Sequence, residues 1–385
     1  MTDHDIIVVG AGPIGSTYAT KMAKKGYDVG LYDKKAVIGE PLQCAGLVSV
    51  NINQIQEIQK EFILNAVKGA ILYSPNKTNI TVKKQENAAY VLDRIKYDQH
   101  LFKEAETENV QTYLKTKIQK TDTKTATITT QNEEITGKIL VVANGPQSIT
   151  ATKLNPNIQQ EYFTAIQYTT QKEDMTDNVK VELNTNISPG FIWTIPVDEN
   201  TQRIGLFTPN EYKIADKILQ EKIEKENRTI IKKHYGKIPK YNSNKKITQD
   251  KTILLGDSAS QIKPTTGGGL ISGLTCVDMA VKTTHNSLQN NNIELTNYQK
   301  EYENRYMKEF KMQLTVQKIL EKLTAEELNI MFEQLQKYNI SDIISEYGEM
   351  DTQTPLIKQL IKTGLIFKLI PKMASRRLIN IWNIH

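Results

Sequence analysis

Residues 5–33, DIIVVGAGPIGSTYATKMAKKGYDVGLYD, leave the chain little choice of topology. An apolar run, Ile6 to Val9, is followed at once by three glycines spaced as GxGxxG, then by a helix-compatible stretch and a second apolar run. So short a continuous apolar run reads as a strand buried on both faces, which a parallel sheet covered by helices provides. Gly10 permits the tight turn, Gly12 lets a pyrophosphate reach the backbone, and Gly15 lets the helix lie close on the strand. The helix that opens beside Ile14 offers free N–H groups and the positive end of its dipole to those phosphates. Asp33 ends the second run 18 residues after Gly15, where an acid accepts bonds from ribose hydroxyls. A lone glycine fingerprint is weak. Strand, helix and acid in register predict a βαβ unit that binds a dinucleotide.

A second glycine-rich stretch, KTILLGDSASQIKPTTGGGLISGL at 251–274, distinguishes between dinucleotides. Its buried-strand pattern ends at Gly256-Asp257, and Gly267 to Gly269 strip side chains from the backbone ahead of a helix starting near Leu270. Two distant acid-bearing loops suit a long, two-ended cofactor, FAD in preference to NAD. Asp257 would bond the ribityl chain. Gly269 and Leu270 would bring the backbone and a positive helix end to the flavin N1–C2 carbonyl, where reduction places negative charge. No second GxGxxG is present for a nicotinamide, so the electron donor is expected to bind transiently or to be a protein.

Composition narrows the class further. Mean hydropathy is -0.46, and no run of 18 apolar residues appears, which argues against a polytopic membrane protein. The first apolar run follows MTDHD, which is not a basic signal-peptide region. Two cysteines, Cys44 and Cys276, make no disulfide framework and point to a reducing cytoplasm. Five scattered histidines show no metal-ligand spacing, so no metal is expected. Net charge is +6, and Lys358, Lys362, Lys368, Lys372, Arg376 and Arg377 account for all of it. No nucleic-acid motif accompanies them, and no nucleic-acid partner is expected.

Five stretches then carry a resemblance: VVGAGPIGS, GEPLQCAGLVS, YVLDRIKYDQHL, GDSASQIKPTTGGGL and SPGFIWTIP. Together they resemble FAD-dependent oxidoreductases with the p-hydroxybenzoate hydroxylase fold, and within that group the archaeal geranylgeranyl reductases. Reductases of that family carry a PxxYxWxFP-like motif. Trp193 and Pro196 match it, Phe191 replaces the Tyr, Ile195 replaces the Phe, and the first proline falls one place late at Pro189. The resemblance implies an α/β fold (α+β overall): a discontinuous Rossmann-like FAD domain at 1–60, 88–150 and 250–290, an inserted antiparallel-sheet substrate domain at 61–87 and 151–249, and a helical region at 291–385. It implies FAD contacts from Ile14, Gly15, Asp33, Cys44, Ala45, Leu47, Arg94, Ile118, Asp257, Gly269 and Leu270, with Arg94 offering its fork to the pyrophosphate side. It further implies saturation of isoprenoid double bonds in digeranylgeranylglycerophospholipids, with reduced ferredoxin, reduced deazaflavin or NAD(P)H as donor.

Several readings stay open at this level. Cys44 is either a small buried apolar residue or a thiol facing the flavin beside the alkene; Cys276 reads as core. Cys44, Tyr168 or a water are the candidate proton donors, and Trp193 and Phe191 are expected to line the substrate pocket. FIWTIP lies one residue from the WxWxIP of flavin-dependent halogenases, so a halogenase or monooxygenase is an alternative, and a non-catalytic flavin carrier is another. From Leu356 to Ile370, apolar pairs alternate with lysines at near-helical spacing, broken at Pro371. That pattern predicts a basic helix lying on a membrane surface, placing the protein at the inner face.

Overall fold

The computed structural model describes residues 2–172 and 178–369. The βαβ unit forms from the residues that predict it: strand His4–Val9, helix Pro13–Ala23 and strand Val29–Tyr32. Five strands run parallel in the order Gln111–Tyr113, Val29–Tyr32, His4–Val9, Glu134–Val142, Thr252–Leu254. Residues Ile6 to Val8, Leu140 to Val142 and Ile253 to Leu255 are fully buried, which accounts for their near-continuous apolar character. Helix Pro13–Ala23 packs against helices Arg94–Thr107 and Leu270–Gln289.

A second sheet of seven strands lies beside this layer. Its order is Ile230–Pro239, Tyr162–Gln171, Thr201–Thr208, Phe191–Pro196, Val179–Leu183, Gly69–Tyr73, Asn79–Lys83. One face is covered by helix Tyr212–Lys225, whose Ala215, Leu219 and Ile223 meet Ile166, Tyr168, Ile204 and Leu206. The segment 61–87 divides between two sheets. Ile63–Val67 joins Leu47–Ser49 and Ala89–Leu92 in a small three-stranded sheet, while Gly69–Tyr73 and Asn79–Lys83 extend the large one.

Helices from Thr296 onward close the far end. Helix Ala325–Lys337 starts with a capping box between Thr324 and Glu327. With helices Ile340–Tyr347, Thr354–Lys362 and Ile366–Leu369 it packs Phe332, Leu335, Ile340, Leu360 and Leu369 around Ile80. Among the described residues, no helix is long and apolar enough to cross a membrane.

The glycine turn shows why two of its glycines are not equivalent. A Cβ on Gly15 would sit 1.8 Å from the Gly10 carbonyl oxygen, whereas a Cβ on Gly12 meets nothing within 4 Å. Gly15→Ala should therefore lower stability by about 1–3 kcal/mol, as overpacking does. Gly12→Ala should leave thermal unfolding almost unchanged and weaken dinucleotide binding alone. Thermal melts paired with ligand titration of the two variants check the contrast.

Candidate functional site

One cavity of about 1770 Å³ runs between the two sheets. That exceeds the roughly 300–1,000 Å³ of a typical small-molecule site, leaving room for a second ligand beside a cofactor. Of the residues anticipated from sequence, Gly10, Gly12, Ile14, Asp33, Cys44, Ala45, Leu47, Arg94, Ile118, Phe191, Trp193, Asp257, Gly269 and Leu270 all line it. Gly15 does not; it lies beneath, against Gly10.

At one end, Gly10 has φ +106, and a Cβ there would meet the Ala143 carbonyl at 2.4 Å. Only glycine suits both demands. The Ala11 N–H donates to Asp33 Oδ2 (2.7 Å) and the Lys35 N–H to Oδ1 (2.8 Å). Asp33 thus ties the glycine turn to the end of the second strand, with lone pairs left for a ligand hydroxyl. The open space above Gly12, at the N-terminus of helix Pro13–Ala23, is the cradle a pyrophosphate requires.

Arg94, on the cavity wall as anticipated, is also paired within its own helix. Its Nε donates to Asp98 Oδ1 (2.9 Å) and its Nη2 to Oδ2 (3.1 Å), one helical turn on. This bidentate pair takes two of the guanidinium's N–H donors; the residue borders the cavity, and the remaining donors stay free to meet a phosphate there. Asp98 was the unread half of the pair.

Further along, Gly256 has φ +63 and brings its backbone against Ile14. Asp257 follows, with Oδ1 3.3 Å from where a Cβ on Gly269 would lie. Burial pushes its carboxyl up to about 6, against the opposing pull of Arg94 and Lys245. Lys245 is itself buried, and its Nζ donates to Gln160 Oε1 (2.8 Å) and Ser260 Oγ (2.9 Å). Burial lowers its pKa to about 8. No motif marked this lysine in the sequence; it acquires its surroundings through contacts 15 and 85 residues away.

The loop that carries Cys44 is held from below. Arg203, almost wholly buried on strand Thr201–Thr208, donates from Nη1 to the Ala45 carbonyl at 2.8 Å. Gly46, at φ +80, has no room for a Cβ, which would meet that same Nη1 at 2.5 Å and the Leu92 carbonyl at 2.6 Å. The Gly46 N–H donates to Cys44 Sγ (3.3 Å), orienting the thiol on the cavity wall. His234 also lines the cavity, its Nε2 paired with Thr169 Oγ1 at 3.1 Å, and burial depresses its pKa. The sequence reading missed both Arg203 and His234. A charged or titratable residue at an inward strand position was the signal each carried. Cys276 is buried, its thiol pushed well up by desolvation.

Beyond the loop the lining turns apolar. Trp193 donates from Nε1 to Gln167 Oε1 (3.1 Å). Its indole lies over Gly205, where a Cβ would come within 2.4 Å of Cζ2. Phe191 stands edge-on to Trp193 and Phe207, with ring centroids 6.3 and 4.9 Å apart. Leu320, Leu323, Met331 and Leu360 continue this wall from the C-terminal helices. Tyr168 is excluded as a proton source here. Strand alternation turns it to the opposite face from Gln167, where its hydroxyl donates to Asp216, and burial with that neighbouring carboxylate pushes its pKa well up.

Known proteins resemble this chain in sequence and in fold. A family model described as glucose inhibited division protein A matches residues 5–251. An uncharacterized protein of Methanocaldococcus jannaschii is 30% identical, with 96% of this chain and 98% of its own length covered. Digeranylgeranylglycerophospholipid reductase 1 of Methanosphaera stadtmanae is 29% identical over 98% of this chain and 96% of its own. A solved structure, a geranylgeranyl bacteriochlorophyll reductase-like protein of Thermoplasma acidophilum, shares the fold at TM-score 0.82. Its identity is 24%, and the match covers 95% of this chain and 99% of that one.

The raised pKa of Asp257 has a measurable sign. An acid whose pKa is lifted by folding, here from 3.8 to about 6, favours the fold while protonated and costs stability as pH rises through that interval. In the ligand-free protein, Asp257→Asn should therefore raise the melting temperature above wild type by a few degrees at pH 8. The gain should fade at pH 4, and melts across that range check it.

Proposed function

The chain belongs to the glucose inhibited division protein A family, and from that premise we propose that it is an FAD-dependent reductase saturating the isoprenoid double bonds of digeranylgeranylglycerophospholipids. The observation that carries this reading is the continuity of the cavity. The glycine-lined loops and the apolar, aromatic-walled chamber share one cavity, so a long hydrocarbon would reach a bound cofactor along a mainly apolar wall.

FAD, when bound, supplies the hydride that the side chains lack. Gly10, Gly12, Ile14 and Asp33 would hold its ADP half, Asp257 its ribityl chain, and Gly269 and Leu270 the backbone approach to its ring. Trp193, fixed by Gln167 and seated over Gly205, would keep an alkene at a constant height above the ring loops. The surrounding aliphatic side chains exclude water. The Cys44 thiol, steadied by the Gly46 N–H, would give its proton to the second alkene carbon and regain one from solvent.

A lipid substrate also bears on where the protein works. The C-terminal apolar stripe turns inward, contrary to a helix lying free on a membrane: Leu356, Ile357, Leu360, Ile366 and Leu369 border the cavity. Lys358, Lys362 and Lys368 face outward with Ile361 and with Phe367, which is 76% exposed. Pro371, Lys372, Arg376 and Arg377 lie outside the described residues. A reversible contact between this basic rim and an anionic membrane at the inner face would bring substrate to the chamber.

Two measurements test the proposal. Dithionite-reduced protein incubated with digeranylgeranylglycerophospholipid should yield a product heavier by two hydrogens per bond, read by mass spectrometry. Trp193→Ala should lower turnover about tenfold or more with the flavin spectrum intact, while halide- and oxygen-dependent halogenation without saturation would replace the reading. For the membrane contact, at about 1 kcal/mol for each lysine near an anionic surface, changing Lys358, Lys362 and Lys368 to Gln should weaken vesicle binding as much as 100-fold at low salt. Equal sedimentation of both forms would remove the membrane from the proposal.

A further inference from the structure

Strand Ile230–Pro239 is the outer edge of the seven-stranded sheet and pairs only with Tyr162–Gln171. Such an edge needs protection, and lysines commonly provide it. Protection alone does not explain what stands beside them. Ile231 is 55% exposed and Tyr235 40%, and across from them on helix Tyr212–Lys225 lie Tyr212 at 44% and Ile214 at 51%. Tyr212 and Tyr235 pack edge to face with centroids 5.1 Å apart. Lys233 and Lys237 lie on the Tyr235 face of the strand and Lys232 on the other, beside His234; all three are exposed at this edge, and none is in an ion pair among the described residues. Of the nearby acids, Glu161 is paired with Lys240 and Asp216 is held by Tyr168 and Gln220, while Glu211 is exposed beside Tyr212.

The strand also touches the cofactor end of the cavity. A Cβ on Gly236 would lie 3.3 Å from the Gln43 carbonyl, and one on Gly267 would lie 3.0 Å from Ile238 Cδ1. A single strand therefore joins an exposed, basic, apolar-centred surface to both loops proposed to hold the flavin ring. We infer that this edge is the docking surface for the electron donor, a small acidic protein that carries a one-electron centre near its surface. Positive charge would steer an acidic partner, and the tyrosine and isoleucine side chains would seat it. Two successive deliveries of one electron, with two protons taken from water, supply the two electrons and two hydrogens that saturate one C=C bond; the partner is oxidised by one electron at each encounter. This inference rests on the reductase reading and adds the place at which a protein donor docks.

The test uses full-length FAD-loaded protein under anaerobic stopped flow, with a dithionite-reduced, desalted [4Fe–4S] ferredoxin as the probe donor and flavin bleaching as the readout. The bleaching rate should fall steeply as salt rises, and K232E/K233E should slow it tenfold or more at low salt. Direct reduction by dithionite should differ less than twofold between the two proteins. Because Lys233 stacks over the Tyr168 ring at 4.8 Å, I231Q/K232E provides a second variant that leaves that contact in place, with the same slowing expected. Equal rates for both variants and wild type, a salt-independent rate, or rapid bleaching by NADPH with none by ferredoxin would overturn the docking surface. Failure of the dithionite-reduced enzyme to saturate lipid would instead strike the reductase reading and leave the docking measurement standing.

Discussion

The buried guanidinium of Arg203 joins the parts of this protein that matter to each other. It is rooted in the seven-stranded sheet and donates to the Ala45 carbonyl, with Leu92 of the small sheet alongside. Burial without a carboxylate partner is costly for an arginine, and lowers its pKa. The compensation is positional. A charge that cannot leave its carbonyl partners fixes the distance between the sheet that forms the chamber and the loop that carries Cys44. Because Gly46 surrenders its side-chain volume to the same Nη1, loop and sheet approach as closely as backbone and guanidinium permit. The cavity is the space these constraints leave open.

The same logic of close approach recurs wherever the lining is thin. Gly15 yields to Gly10, Gly205 to the Trp193 indole, and Gly256 to Ile14. The last two pairs set a bulky side chain against bare backbone, and the first sets backbone against backbone. Asp33 adds a polar version, with both carboxylate oxygens engaged by backbone N–H groups of the turn and the strand end. Rigidity at the cofactor end therefore comes from short contacts between main chain and side chain. The chamber end is built from exchangeable aliphatic volume.

What could be read from the sequence follows from this division. The glycine turn, Asp33, Asp257 and the GGG loop could be assigned to one site from sequence because their geometry is local: spacing along the chain sets it. Trp193 and Phe191 were legible through a motif on one strand. Arg203, His234 and Lys245 were not, since their partners Ala45, Thr169 and Gln160 lie far away in sequence and only the fold brings them together. At Arg94 a local clue went unused: Asp98 stands four residues on, the spacing at which helix neighbours pair. The stripe after Leu356 shows a further limit. Periodicity establishes that a helix has an apolar face, but not whether that face meets lipid or the protein's own interior.

The chamber takes its walls from both ends of the chain, and this bears on its assembly. The glycine turn and the strands beside it leave the ribosome early, whereas Leu356, Leu360 and Leu369 are among the last described residues to be made. Domains of growing chains tend to form in the order of synthesis. The glycine-lined end of the cavity can therefore be complete while the apolar end still lacks its outer wall. For that interval the aromatic lining around Trp193 would face solvent, and a cofactor entering then would find an open trough where the finished protein has a walled cavity.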